Sequence, residues 1–244
     1  MKNIKAIKNR IVTGKKNIYS NIQIIKPMTL IIGIRCIDGV VLAGDRRVMR
    51  GTECSEERKI ISIDSDFVIG YSGATCLMDK FLFKINSYLN DPDTSKLWVD
   101  FAEILEDSVA DLRNKYIQRI EDVSFDVLYC GKMIPNHASL YHIYNSGFSE
   151  EIKTFYIIGH GQPHALPFLK AAYYPEITIN EAIKLASFVL HLIDKCNVDI
   201  LVGGKPQIVL IPDNKDPIEI PETQIDNLLQ QILVTDRLKA AIFD

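Results

Sequence analysis

The sequence predicts one α+β domain, with a core of mostly antiparallel strands and helices packed outside it. The first observation is the order of patterns along the 244 residues: strands, two helices, strands, two helices, strands and a closing helix. Such grouping indicates layers of strands and helices around one core. The second observation is that turn residues typical of hairpins join the first strands, and strands joined by hairpins run antiparallel.

The strand predictions rest on short runs of apolar and β-branched residues bounded by polar turn residues. In chain order they cover residues 29–36, 40–48, 59–64, 67–73, 124–131, 139–145, 154–159, 206–212 and 218–221. Asp38-Gly39 is a strong hairpin signal between the first two strands, and residues 64–66 turn the second hairpin. The polar stretch 51–59 is predicted to be a loop.

The helix predictions rest on apolar residues at helical spacing. In chain order they cover residues 75–90, 96–118, 164–173, 179–196 and 222–237. The fourth helix opens with Thr178-x-x-Glu181, which matches a capping box. No internal repeat, low-complexity linker or second domain is visible, so residues 29–244 are predicted to form a single domain.

The charge is distributed unevenly, which separates a leader from the body. Residues 1–28 contain seven basic and no acidic residues, whereas the whole chain has a net charge of −3, so residues 29–244 carry −10. We interpret residues 1–28 as a basic N-terminal leader or propeptide, and an organelle transit peptide is the alternative.

Composition and spacing argue against several classes of protein. The longest apolar runs are too short to span a bilayer, and the acidic body argues against nucleic acid as the main partner. Five scattered cysteines without CxxC spacing predict reduced thiols in a cytoplasmic protein. His160 and His164 are four residues apart, but a metal site needs at least one more ligand. We therefore expect no metal, no cofactor and no membrane contact.

Five segments, in the same order along the chain, resemble the β-type subunits of proteasomes. The first begins at Thr29 and includes the strand, the Asp-Gly turn and an Asp-Arg-Arg segment. The five segments cover residues 29–51, 59–75, 156–193, 197–213 and 218–232. The resemblance implies the four-layer αββα sandwich of the N-terminal-nucleophile hydrolases.

The resemblance also implies a set of catalytic residues. Thr29 aligns with the nucleophile, which in this family becomes the N-terminus and supplies its own α-amine as the base. The pKa of an α-amine is about 8, which suits a general base near neutral pH. Lys59 aligns with the buried catalytic lysine and Asp45 with its carboxylate partner, because a buried ammonium needs a counter-charge. Gly73 aligns with the residue whose N–H faces the developing oxyanion.

Further positions match the family pattern or depart from it. Arg47 aligns with a structural arginine, and Asp199 aligns with an acid near the nucleophile. His160 and Val202 stand where the family usually has serines that hold the amine and a water. An imidazole could substitute as a hydrogen-bond donor or acceptor, whereas the side chain of Val202 cannot. Met28 stands where the family usually has the glycine that precedes the cut, and it could instead be the true start of translation.

The resemblance predicts an apolar specificity pocket and a ring-shaped assembly. Val48, Ile61 and Tyr71 align with the residues that line the pocket for the residue before the cut bond. The expected partners are a homo-heptameric β ring, proteasome α subunits, a regulatory ATPase acting indirectly, and unfolded protein substrates.

The predicted function is that of a threonine endopeptidase made as a zymogen, which hydrolyses peptide bonds after the leader is released. Two alternatives remain open. One is a non-catalytic structural ring subunit that keeps its leader. The other is a stand-alone N-terminal-nucleophile peptide ligase or amidase.

Overall fold

The computed structural model describes residues 29–50, 53–63, 67–73, 75–90, 98–116, 125–134, 136–196 and 199–234. The predicted leader, the predicted turn at residues 64–66 and the last residues of the predicted closing helix lie outside these ranges.

Most of the strands form two antiparallel sheets. They are β1 (Ile31–Cys36), β2 (Gly39–Gly44), β3 (Arg47–Arg50), β4 (Glu53–Glu56), β5 (Ile60–Ser62), β6 (Phe67–Gly73), β7 (Phe125–Ile134), β8 (His137–Ile143), β9 (Ser149–Ile152), β10 (Phe155–Ile158), β11 (Gln207–Pro212) and β12 (Ile218–Glu219). The first sheet has the strand order β10-β1-β2-β11-β12, and the second has the order β5-β6-β7-β8-β9. Strands β3 and β4 form a separate two-stranded ribbon.

Helices cover the outer face of each sheet. They are α1 (Thr75–Leu89), α2 (Trp98–Lys115), α3 (Gln162–Ala172), α4 (Ile179–Lys195) and α5 (Glu222–Val234). The predicted capping box of α4 is confirmed, because Thr178 Oγ1 accepts the N–H of Glu181 and the Glu181 carboxylate accepts the N–H of Thr178. No helix in the described ranges is both long and apolar enough to cross a membrane.

The period-two alternation of the strands divides the core into three layers. In β1, the side chain of Ile32 packs beneath α3, α4 and α5, while that of Ile31 lies between the sheets. In β6, Ile69 packs beneath α1 and α2, while Val68 faces the first sheet. Successive side chains of a strand point to opposite faces, so each sheet is buried on both sides. The predicted αββα sandwich is confirmed.

Two glycines allow the sheets to approach each other closely. A Cβ atom on Gly44 of β2 would stand 2.5 Å from Ile31 Cδ1, and one on Gly70 of β6 would stand 2.9 Å from Ile31 Cγ2. Interiors are packed too tightly to absorb such an overlap without a shift. Ile31 therefore fills the space that both glycines leave open.

The strand predicted over residues 40–48 is wrong as a single element. Strand β2 ends at Gly44, and β3 begins at Arg47 in the separate ribbon. The chain leaves the first sheet because the N–H groups of Arg46 and Arg47 donate to the carbonyl of Gly203 instead of continuing the ladder. This bend places the side chain of Asp45 inside the protein rather than along the strand.

Two short polar strands were not predicted. Strand β4 lies in the stretch predicted as a loop, and all four of its residues are exposed. Strand β9 has the sequence Ser-Glu-Glu-Ile and forms an edge of the second sheet. Neither has the apolar alternation from which strands are recognised, so their pairing is determined by the neighbouring strand.

Candidate active site

Thr29 lies directly before β1 and is almost completely buried, with 3% of its surface exposed. Its carbonyl accepts the N–H of Gly161 at 3.3 Å, which connects it to the turn before α3. The next residue, Leu30, is bonded twice to Asp45: its N–H donates to Oδ1 at 2.8 Å and its carbonyl accepts the Asp45 N–H at 3.1 Å. The peptide bond between Thr29 and Leu30 is therefore hydrogen-bonded at both its carbonyl and its N–H.

Asp45 and Lys59 form a buried ion pair one residue away from Thr29. The Lys59 ammonium lies 2.8 Å from Asp45 Oδ1, and each side chain is 2% exposed. The ammonium also donates to the carbonyl of Arg47 at 2.7 Å, and Asp45 Oδ2 accepts the N–H of Gly203 at 3.2 Å. Asp45 thus accepts hydrogen bonds from both the catalytic lysine predicted by the resemblance and the neighbour of the predicted nucleophile.

Burial and pairing act in opposite directions on both groups of the ion pair. Burial raises the pKa of the Asp45 carboxyl, and the attraction of Lys59 and the donated hydrogen bonds counteract that rise. Burial lowers the pKa of the Lys59 ammonium, and Asp45 counteracts that fall. The two charged groups therefore compensate each other inside the protein.

Arg47 connects the segment that follows Asp199 to the ion pair by hydrogen bonds. Its guanidinium donates to the carbonyl of Val202 at 3.0 Å and to Asp194 Oδ1 at 2.9 Å. Its own N–H donates to the carbonyl of Gly203 at 2.9 Å. These contacts are those of a structural arginine, and they hold the Gly203 N–H against Asp45.

His160 and Asp199 meet at the other side of Thr29. Nδ1 of His160 lies 2.7 Å from Oδ2 of Asp199, and the second carboxylate oxygen accepts the N–H of Leu201 at 2.9 Å. Val202 is fully buried among the apolar residues beneath the helices. The structure therefore brings the predicted acid and the histidine together, and Val202 contributes packing.

Gly73 ends β6 with a φ angle of 146°, a conformation that residues with a side chain rarely adopt. The hydroxyl of the preceding residue, Ser72, is buried and has no hydrogen-bond partner within the described ranges. A Cβ atom on Gly159 would stand 2.9 Å from this hydroxyl and 2.1 Å from the carbonyl oxygen of Thr29. The end of β6 and the start of the turn before α3 thus converge on Thr29.

Gln207 is a site residue that the sequence did not reveal. Its Oε1 accepts the N–H groups of Lys59 at 3.1 Å and Ile60 at 3.0 Å, and its Nε2 donates to the carbonyl of Ile60 at 2.8 Å. It is buried at the head of β11. The sequence signal that could have revealed Gln207 is a polar residue at the start of an otherwise apolar strand.

The three residues predicted to line a specificity pocket lie on three different strands. Val48 is in the β3–β4 ribbon, opposite Ser55. Ile61 and Tyr71 pack in the cluster beneath α1 and α2, and the N–H of Tyr71 donates to the carbonyl of Lys59 at 3.1 Å. Tyr71 is thus linked to the ion pair through the main chain, and the pocket itself stays a prediction. Within the described ranges, no group of three or more His, Cys, Asp or Glu side chains is arranged to hold a metal ion.

We expect Gly159→Ala to destabilise the protein by at least about 1–3 kcal/mol, because Gly159 has a φ angle of 98° that alanine adopts only with strain. The overlap with the Thr29 carbonyl adds to this loss. Gly161→Ala is the comparison in the same turn: Gly161 has an ordinary φ of −72°, and its added Cβ would meet only side-chain atoms of Leu30 and Val202, at 3.0 Å, so its loss should be smaller. Urea denaturation of both variants measures the difference in their free energies of unfolding. Equal losses in the two variants would contradict the backbone strain expected at residue 159.

The fold and the site define a class of protein. Two antiparallel sheets between helix layers, with a threonine before the first strand and a buried lysine–aspartate pair beside it, are the features of an N-terminal-nucleophile hydrolase. A family model described as "Proteasome subunit" matches residues 28–201, and the chain belongs to this family.

Relatives of both proteasome types are similar to the chain. A proteasome subunit beta of Nanoarchaeum equitans is 30% identical over 165 residues, which cover 65% of this chain and 81% of that protein. A proteasome subunit alpha of Methanococcus maripaludis (strain C5) is 31% identical over 168 residues, which cover 66% of this chain and 63% of that protein. The chain thus spans slightly less than two thirds of that α subunit.

Solved structures share the fold of this chain. The Gly-1 mutant of Anbu from Hyphomicrobium sp. strain MC1 superposes with a TM-score of 0.70 at 20% identity, covering 88% of this chain and 96% of that chain. Anbu from Yersinia bercovieri, described as an ancestral beta-subunit, superposes with a TM-score of 0.69 at 18% identity, covering 84% and 95%. At such identities the likeness concerns the fold.

Proposed function

We propose that the chain is a β-type subunit of a proteasome-like particle and that Thr29, once released as the N-terminus, hydrolyses peptide bonds of unfolded proteins. The observation that carries this proposal is the shared carboxylate: Asp45 Oδ1 accepts both the Lys59 ammonium and the N–H of Leu30, each at 2.8 Å. A threonine, a cation and a carboxylate are thereby held in one rigid unit.

The roles of the residues follow from their positions. The hydroxyl of Thr29 attacks the substrate carbonyl, and the freed α-amine accepts its proton. The positive charge of Lys59 favours the developing alkoxide and keeps the neighbouring amine neutral, while Asp45 compensates that charge inside the protein. The N–H of Gly73 faces the oxyanion, where a glycine lets the substrate approach closely.

The proposed partners are those of the family, whose subunits assemble into particles of stacked rings that contain α and β subunits. The finer proposal is a seven-membered β ring of this chain against a ring of α subunits, supplied with unfolded protein by a regulatory ATPase. The relatives named as α and β subunits support the first part of this proposal.

A non-catalytic ring subunit is the second candidate, and two observations favour it. Thr29 is 3% exposed in the full chain. Val202, at a position where the family carries a serine, is buried against the turn, and a Cβ atom on Gly161 would stand 3.0 Å from its Cγ2. Such a subunit would keep its leader and still assemble.

The experiment is the intact mass of the chain after co-expression with a candidate α-type partner, combined with an assay on a fluorogenic peptide and an unfolded protein. We expect a mass that begins at Thr29 and hydrolysis of both substrates by the assembled fraction. A full-length mass in an assembled, inactive particle would favour the structural subunit. Activity without any partner would favour the stand-alone amidase.

A further inference from the structure

His160 and Asp199 form an oriented imidazole–carboxylate pair. Nδ1 of His160 lies 2.7 Å from Oδ2 of Asp199, whose other oxygen accepts the N–H of Leu201 at 2.9 Å. Carboxylate oxygens are acceptors, so Nδ1 is the donor in this contact, and in the neutral ring Nε2 is then the acceptor. The Asp199 side chain is 4% exposed and the His160 side chain is 40% exposed. The carboxylate therefore fixes the ring from inside while part of the ring stays accessible.

This pair belongs to the structural frame of Thr29. The residue before His160 approaches the Thr29 carbonyl so closely that a Cβ on Gly159 would stand 2.1 Å from its oxygen. The residue after His160 donates its N–H to the same oxygen at 3.3 Å. The segment that begins at Asp199 also donates a hydrogen bond to Asp45 through the N–H of Gly203, at 3.2 Å.

Release of the leader needs a proton acceptor other than the α-amine of Thr29, whereas later peptide hydrolysis does not. While Thr29 is still linked to Met28, it has no α-amine to take the proton from its hydroxyl, so another base is needed. The Lys59 ammonium donates to Asp45 and to the carbonyl of Arg47, which is the arrangement of a cation rather than of a base. An imidazole whose Nδ1 is held by a carboxylate is the standard arrangement for accepting a proton at Nε2.

We propose that His160, oriented by Asp199, is the general base for release of the leader and acts on the Thr29 hydroxyl through one water. The inference rests on the proposed function, because it assumes that the bond between Met28 and Thr29 is cut by Thr29 itself.

The step balances as follows. The hydroxyl proton of Thr29 passes through the water to Nε2 while Oγ1 bonds to the carbonyl carbon of Met28. The bond between that carbon and the Thr29 nitrogen then breaks, and the imidazolium returns its proton to the nitrogen. A second water, deprotonated by the same imidazole, attacks the carbonyl carbon of the resulting ester, the bond from that carbon to Oγ1 breaks, and the imidazolium returns the proton to Oγ1. The products are a leader ending in the Met28 carboxylate and a chain beginning with the free amine and hydroxyl of Thr29.

The test measures the rate of leader release from the full chain by intact mass. We expect His160→Asn to slow release by at least about 10²-fold, the lower end of what general-base catalysis contributes. The amide of the asparagine variant keeps a donor for Asp199 and so separates positioning from proton transfer. Asp199→Asn should slow release too, because it no longer fixes the tautomer. In His160→Ala, added imidazole should restore part of the rate.

His164→Asn is the matched control, since this half-buried histidine lies on α3 one turn further on, whereas the ring bonded to Asp199 is that of His160. It should release the leader at the wild-type rate. Release at the wild-type rate from His160→Asn would overturn the inference, and so would slow release in His160→Ala that imidazole does not restore.

A further chain separates this outcome from failure of the proposed function. In it, residues 23–28 are replaced by the recognition sequence of a protease that cuts before Thr29, and the cut is made after folding. If the cut chain hydrolyses peptides while the His160 variants of the full chain release their leaders normally, the proposed function holds and only the inference fails. If the cut chain, assembled with its partner, is inactive, the proposed function itself fails.

Discussion

Thr29→Ala is expected to abolish peptide hydrolysis and to leave the leader attached. The variant lacks the only atom proposed to attack a carbonyl, and removal of a nucleophile lowers turnover by factors on the order of 10⁴–10⁶ in comparable hydrolases. Because the same hydroxyl is proposed to cut the Met28–Thr29 bond, intact mass should show the full-length chain. Both losses are expected without loss of the fold, since the contacts of Thr29 that hold the site are made by its main chain.

Thr29→Ser is the matched variant for this experiment. Serine keeps the hydroxyl but lacks the β-branch that restricts the rotamer of threonine. We expect it to release the leader and to hydrolyse peptides, at a lower rate than wild type. A Thr29→Ala chain that still loses residues 1–28 would show that another protease removes the leader, and one that still hydrolyses peptides would refute the nucleophile.

Lys59→Met is expected to destabilise the protein by about 3–5 kcal/mol, the loss typical of a buried pair from which one partner is removed. Asp45 would keep the N–H groups of Leu30 and Gly203, but its charge would have no counter-charge nearby. Asp45→Asn should cause a comparable loss by leaving the Lys59 ammonium unpaired. The double variant has no isolated charge, so its loss should be smaller than the sum of the two single losses.

The neighbouring residue provides the control for the ion pair. Arg58 is 65% exposed and lies 2.8 Å from Glu219, so Arg58→Met removes a cation of similar size from a surface pair. Surface pairs contribute about 0–1 kcal/mol. Urea denaturation of the four variants completes the comparison. A loss in Lys59→Met no larger than that in Arg58→Met would mean that the buried pair is replaceable, and its proposed role in the site would lose its structural basis.

The layered fold could be predicted because it depends on local patterns. Period-two strands, helical spacing and the Asp38-Gly39 turn each appear within a few residues of sequence, and the structure follows them closely in β1 and α4. The short strands β4 and β9 could not be predicted, because they are polar and exposed and form only beside a partner strand.

The candidate site likewise contains residues that the sequence could predict and residues that it could not. Thr29, Asp45 and Lys59 could be proposed from the resemblance, and in the structure Asp45 is hydrogen-bonded to Lys59 and to Leu30, the neighbour of Thr29. The part played by Gln207 could not, because it depends on a contact across 148 positions of the sequence. The bond between His160 and Asp199 spans 39 positions and likewise becomes visible only when the turn before α3 and the segment after α4 are brought together.

Gln207 belongs to the first sheet, whereas the groups it binds, the N–H of Lys59 and both main-chain groups of Ile60, lie at the start of β5 in the second sheet. This one side chain therefore connects the two sheets by hydrogen bonds at Lys59, the predicted catalytic lysine. Local unfolding of the start of β5 would break three buried hydrogen bonds at once. Lys59 therefore keeps its position relative to Thr29 as long as the two sheets stay packed together. The alignment of the two groups is in this sense a property of the whole sandwich, and it should persist until the entire domain melts.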